Sequence, residues 1–214
     1  MTRFILVRHG ETTWNIEGRY QGQEDTPLSP RGIEQGKKLA KALEHVPIDA
    51  CWASPLKRAY ETCGYCAAYH NLPVHTDPRL TEIHHGDWEG VLAEEIAAAY
   101  PKEFAAWKHM PATVQMPGEG GENLEAVAER SFAFFEEMAA GQDGKTLLVA
   151  AHDAVNKVVI CRILGMDLNK FWQVKQDNTC INVLEYDGKN WRLVLMNNTN
   201  HMGFLFSGIE QKGL

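Results

Sequence analysis

No apolar run in this 214-residue sequence comes near the ~18 residues that a membrane span requires. Positive charge is also short: 21 Lys and Arg stand against 28 Asp and Glu, a formal net charge of -7 with His neutral. That balance argues against a general nucleic-acid binder or a protein held on anionic lipid, while leaving room for a local basic pocket. Cysteine is sparse and odd in number, with Cys51, Cys63, Cys66, Cys161 and Cys180 all in apolar surroundings. A chain of this length is not expected to carry a disulfide framework. Cys63 and Cys66 fall on one face of an expected helix and read as core residues rather than a redox pair. Internal repeats, heptads and low-complexity tracts are absent. Met1-Thr2-Arg3 leads directly into the first apolar run and leaves no room for a signal peptide, so the expected compartment is the cytoplasm.

What is present is ordinary globular material, 44% hydrophobic and 23% charged. The length predicts one domain over residues 1–214, with enough surface to bury a core unaided. Phe4-Ile5-Leu6-Val7 stops at Arg8-His9-Gly10-Glu11, the pattern of a buried parallel strand ending in a turn. Ser29 suits an N-cap and Pro30 a first helical position, for a helix that carries Ile33, Leu39, Ala40 and Leu43 and ends by Pro47. Ile48–Ala53 reads as a strand, Leu56–Tyr69 as a helix and Pro73–Thr76 as a short strand. From 77 to 121 the pattern turns polar around two helices, Leu92–Tyr100 and Phe104–His109. This segment is too short for a core of its own and is expected as a cap insertion over the strand ends. Asn123 begins a long helix with Leu124, Val127, Ala128, Phe132 and Phe135 on one face. Thr146–Ala151 is the clearest buried strand; it ends at His152 and is followed by a helix, Ala154–Leu164. Cys180–Tyr186 and Trp191–Met196 flank Asp187-Gly188, a strong hairpin signal, and beyond Asn197 no period is visible. The order predicts an α/β fold of three layers, α/β/α, around a mostly parallel central sheet.

Parallel sheets present their ligand sites at the carboxyl ends of the strands. Two strands end in His9 and His152, Arg8 precedes the first, and Arg58 lies in the first helical turn after Ile48–Ala53. Arginine grips phosphate oxygens in bidentate fashion, and helix N-termini add N–H donors. A pocket of this kind should hold a phosphoryl group, with His9 as nucleophile. His84, His85 and Asp87 sit together, but no further residue has metal-ligand spacing, and neither a metal nor another cofactor is expected.

Arg8-His9-Gly10-Glu11 resembles the signature of the histidine phosphatase superfamily, the phosphoglycerate-mutase-like enzymes. The likeness continues in the family's order through Asn15, Tyr20-Gln21-Gly22, Ser54-Pro55-Leu56-Lys57-Arg58-Ala59, Glu82 and His152, from residue 3 to about 160. The compact length, Gly86-Asp87-Trp88-Glu89-Gly90 and Asp177-Asn178-Thr179 resemble the small cofactor-independent phosphatases. Within these the chain looks most similar to the metal-independent phosphoserine phosphatases, with α-ribazole-5′-phosphate phosphatases close by. One position departs from the pattern: Asp153 stands where the family has glycine. A carboxylate there is expected to turn away from the phosphate and to cap the following helix.

The resemblance implies that His9 attacks phosphorus in line and becomes a phosphohistidine. Arg8, Arg58 and His152 would stabilise the equatorial oxygens. Glu82 would protonate the leaving alkoxide and then help activate water, with Glu11, Asp87 and Glu89 as competitors for the role. Asn15, Gln21 and Gly22 are implied as substrate contacts, and His85 is expected at the pocket mouth against the non-phosphate part of the ester. A phosphoglycerate mutase would use the same pocket but is disfavoured by the short cap. A non-catalytic module binding phosphate esters has only Asp153 in its favour. The expected partners are a small-molecule phosphate ester and a second copy of the chain, paired through the edge that the hairpin offers.

Overall fold

The first apolar run forms strand β1 (Thr2–Arg8) in the computed structural model, which describes residues 1–204. Successive side chains of a strand point to opposite faces, and both faces of β1 are covered. Phe4 and Leu6 enter one core with Leu147, Val149 and residues of the long C-terminal helices. Ile5 and Val7 enter a second core with Leu148, Ala150, Leu39, Leu43, Cys63 and Cys66. This double coverage is why the run is continuously apolar instead of alternating.

The other strands are β2 (Ala50–Ala53), β3 (Val74–Thr76), β4 (Thr146–Ala151), β5 (Ile181–Tyr186) and β6 (Trp191–Asn198). They form one sheet in the order β3-β2-β4-β1-β5-β6. The first four in that order run parallel; β5 pairs antiparallel to β1, and β6 antiparallel to β5. The helices are α1 (Thr13–Glu17), α2 (Pro30–Leu43), α3 (Lys57–His70), α4 (Ala93–Ala99), α5 (Pro101–His109), α6 (Leu124–Gly141) and α7 (Asp153–Leu164). Ser29 caps α2, its hydroxyl accepting from Gly32 N–H at 3.0 Å. Asn123 caps α6 through Ala126 N–H, and Gly165 closes α7 in the left-handed region.

Several boundaries shift by one to three residues, the second strand starting at Ala50 and α5 at Pro101, and three further differences stand out. A short helix, α1, forms where no periodicity announced one, held by a reciprocal cap between Thr12 and Asn15. The sixth strand runs on to Asn198, past Met196. The helix after β4 begins at Asp153, with His152 and not Asp153 in the capping position. Of the tail without period, residues 205–214 lie outside the described residues. Residues 77–121 contribute Leu80, Ile83, Trp88, Ile96 and Trp107 to the same core as Phe4 and Leu6.

Candidate active site

The parallel register of β1 and β4 sets the geometry. Arg8 pairs with Ala151, and His9 N–H still reaches Ala151 O at 3.1 Å. The next residues, His9 and His152, therefore emerge side by side with ring centroids 5.2 Å apart. Just past neighbouring β2, Ser54 N–H reaches Ala150 O. One turn later α3 delivers Arg58, and Thr62 ties that helix to the turn after His9. Its hydroxyl donates to Arg58 O at 2.6 Å and accepts from Gly10 N–H at 3.0 Å. Gly10 is needed for closeness, since a Cβ there would lie 2.6 Å from Gly32 O.

His9 is buried, with Nδ1 2.7 Å from Gly10 O. That carbonyl can only accept, so Nδ1 carries the proton and Nε2 keeps its lone pair. Burial first, then Arg58 and Arg8, hold its pKa well below the usual histidine value. His152 is lowered in the same way by burial, then by Arg58 and His9. Arg58 is fully buried; its Nη1 donates to Glu24 O and its Nη2 to Gly22 O, each at 2.7 Å. Gly22 adopts φ +52°, and a Cβ there would meet Glu89 Oε1 at 1.9 Å, so only glycine lets this loop grip the guanidinium. Desolvation brings the Arg58 pKa down to about 10. Arg8 donates to Gln176 O at 2.6 Å. Both ring nitrogens of His152 and the Nε atoms of Arg8 and Arg58 are buried without a protein partner. Several uncommitted polar groups on cationic or neutral side chains, beside the N-terminus of α7, form a receptor for an anion.

Of the four carboxylates considered, Glu82 is the one at this end of α7. It is buried and accepts from Ala154 N–H at 3.2 Å and from Ile83 N–H at 3.0 Å. Burial, then the charge of Asp153, push its pKa up from the ordinary value. The competitors serve elsewhere. Glu11 accepts from Ser29 Oγ, Glu89 accepts from the Gln23 and His85 N–H groups, and Asp87 meets Tyr100 Oη at 3.5 Å. Asn15 and Gln21 flank the His9 turn. Asn15 Oδ1 accepts from Thr12 and Asn178, and Gln21 Oε1 accepts from Thr12 and Thr26. Their amide nitrogens make none of these bonds.

Two expectations need correction. His85 does not line an open mouth. Its ring is fully buried, edge-on to Tyr20 at 4.9 Å and to Trp107 at 5.9 Å, with Nδ1 3.4 Å from Met116 Sδ. Burial brings its pKa to about 3, and Nε2 has no protein partner. Asp153 neither caps α7 nor turns away from the cations of the pocket. Its carboxylate lies 3.4 Å from Arg8 Nη1 and 2.8 Å from Lys157 Nζ, one turn along α7 and itself buried. That ammonium also stands over the rings of Phe171 and Trp172, at 4.7 and 4.6 Å.

Pattern reading counted Asp177-Asn178-Thr179 in the resemblance but gave the stretch before β5 no contact with the site. Thr179 N–H donates to Arg8 O and His9 O, and Asn178 Nδ2 to His9 O at 3.1 Å. Gln176, bonded to Asn156 and Asn182, presents the carbonyl that holds Arg8. A cluster of amides just ahead of a hairpin was the available signal. Among the described residues no three His, Cys, Asp or Glu side chains are grouped to hold a metal, and His84 Nδ1 accepts from Gly86 N–H instead.

A strand-end pocket that sets two neutral imidazoles beside two desolvated guanidinium groups defines an α/β protein that handles phosphoryl groups. The chain belongs to the histidine phosphatase superfamily: the model of its branch 1 matches residues 4–199. It is 39% identical to phosphoserine phosphatase 1 of Hydrogenobacter thermophilus, covering 95% of both chains. It is 33% identical to the adenosylcobalamin/alpha-ribazole phosphatase of Escherichia coli, over 91% of this chain and 95% of that one. Its fold is similar to that of Bacillus stearothermophilus YhfR, with a TM-score of 0.87 at 30% identity over 94% of this chain and 100% of that one. The resemblance read from the motifs and the mostly parallel α/β sheet are both borne out.

The buried imidazoles make stability depend on pH. His9, His85 and His152 all have lowered pKa values. Below about 6.5 the unfolded chain takes up protons that the folded chain refuses, so stability falls as pH falls. Glu82, raised, works in the opposite direction, one group against three. Urea midpoints should therefore drop between pH 7 and pH 5; a midpoint that holds or rises contradicts the neutral assignment.

Proposed function

We propose that this protein hydrolyses phosphate monoesters of small metabolites through a phosphohistidine on His9, with no metal taking part. The observation that carries the reading is the pairing of His9, its lone pair kept on Nε2, with the buried polar groups of Arg8, Arg58 and His152. In the first step Nε2 attacks phosphorus, the bond from phosphorus to the ester oxygen breaks, and Glu82 gives its proton to the departing alkoxide. The guanidinium groups and His152 stabilise charge on the equatorial oxygens without having to reorganise. In the second step water attacks the phosphohistidine, the Glu82 carboxylate takes a proton from it, and the bond from phosphorus to nitrogen breaks. Asn15 and Gln21 supply amide donors at the rim, and the Gly22 loop holds Arg58.

Phosphoserine-type esters come first as substrates and α-ribazole-type esters second, on the strength of the named relatives. Such esters are solutes of the cytoplasm, where we place the reaction. We also read the outer strand β6, with Val194 and Met196 exposed, as the edge for a second copy. Light scattering that returns the mass of one chain removes that dimer.

A panel of phosphoserine, α-ribazole phosphate, 3-phosphoglycerate, sugar phosphates and p-nitrophenyl phosphate, assayed in EDTA, should show phosphate release led by phosphoserine. Activity lost on chelation, or interconversion of phosphoglycerates faster than hydrolysis, overturns the proposal. His9→Ala should abolish turnover and the acid-labile phosphoenzyme while leaving the urea midpoint within about 1 kcal/mol of the parent.

The proton on Glu82 predicts an alkaline limb. As pH rises through its raised pKa the donor is lost and kcat/KM for phosphoserine falls. Glu82→Gln should lower that rate by about 10²-fold and flatten the limb. An unchanged limb in the variant would assign the proton to another group.

A further inference from the structure

Among the described residues, the Glu82 carboxylate takes hydrogen bonds from the Ala154 and Ile83 N–H groups alone. Its aim is therefore set by the backbone that carries it, and that backbone is held from α6. Arg130 commits all five of its guanidinium N–H donors. Nε donates to Glu122 Oε1 at 2.7 Å, and Nη2 to Glu122 Oε2 at 2.9 Å and to Glu82 O at 3.0 Å. Nη1 donates to Arg79 O at 2.8 Å and to Thr81 O at 2.7 Å. Three carbonyls of one loop thus converge on one planar fork, which the single ammonium of lysine cannot reproduce. Glu122 closes the clamp on the other side. Its Oε2 accepts from His84 N–H, and its own N–H donates to His84 O, both at 2.9 Å. Gln23 Nε2 adds a bond to Glu82 O at 3.1 Å. Arg130 has no donor left for a phosphate.

We propose that Arg130 and Glu122 are positioning residues that fix the approach of Glu82 to the leaving-group oxygen, an inference that rests on reading Glu82 as the proton donor. A donor must come within hydrogen-bond reach, ~2.6–3.2 Å, of the atom it protonates. A displacement of about 1 Å, made far from the chemistry, can cost ~10²-fold in rate. The clamp spans residues 79 to 84, so loosening it moves Glu82 without touching Arg8, His9, Arg58 or His152.

Leaving-group dependence separates aiming from simple fold support. A nitrophenolate departs without a proton, whereas a primary alkoxide needs one. The ratio kcat/KM reports only steps up to that departure. Arg130→Lys should lower kcat/KM for phosphoserine by about tenfold and for p-nitrophenyl phosphate by less than about threefold. Across a series of esters the dependence on leaving-group basicity should steepen. Retained turnover of the nitrophenyl ester also reports an intact fold. If Arg130→Lys does not fold, Glu122→Gln, which removes the charge and keeps the shape, carries the same comparison. Equal losses on both esters, or none on either, overturn the positioning role. Glu82→Gln is the reference. If it shows no leaving-group split, the reading of Glu82 has failed; if it shows the split and the clamp variants do not, the clamp inference alone has failed.

Discussion

Everything in the pocket depends on the alignment of two neighbouring strands. Because Arg8 faces Ala151 across β1 and β4, the residue that follows each strand is a histidine, and the two rings meet. A slip of one residue would send every side chain of either strand to the opposite core and carry one imidazole away from the other. Both strands are buried on both faces, so such a slip would also misplace the residues that fill the two layers. The packing that makes the sheet stable is thus the same packing that holds the ring of His9 beside that of His152.

Burial then sorts the protonation states. Around one small volume lie Arg8, Arg58 and Lys157, with Asp153 and Glu82 as the nearby acids. Desolvation penalises every charge, and the guanidinium groups, which resist losing a proton, remain charged while the imidazoles yield. His9 and His152 are driven towards neutrality, and Glu82 towards its protonated form. A nucleophile needs a lone pair and an acid needs a proton. One environment supplies both conditions by opposite shifts.

Much of this could be read before any coordinates. The apolar runs at Phe4 and Thr146, the turn residues behind them and the arginine after β2 are local signals, and each places a side chain at a strand end. Parts of the site that rest on contacts between distant segments left little trace. Arg130 sits on α6 as an ordinary charged residue, and only the folded chain brings it to the carbonyls of Arg79, Thr81 and Glu82. The burial of His85 could not be seen because Tyr20, Trp107 and Met116 come from three separate stretches. Asp153 was legible as a departure, but its counter-ion required knowing that the helix starts one residue earlier. Lys157 then falls at i+4 on a buried face, where a lysine looks out of place until its partner is known.

That ion pair bears on how the chain can change over generations. Removing Asp153 alone leaves the buried Lys157 ammonium without its carboxylate, a penalty of about 3–5 kcal/mol and a large share of what keeps a domain folded. Aspartate at 153 cannot readily give way to an uncharged residue while lysine remains at 157. The two codons are expected to be inherited as a couple, and among descendants substitution at one should be accompanied by substitution at the other.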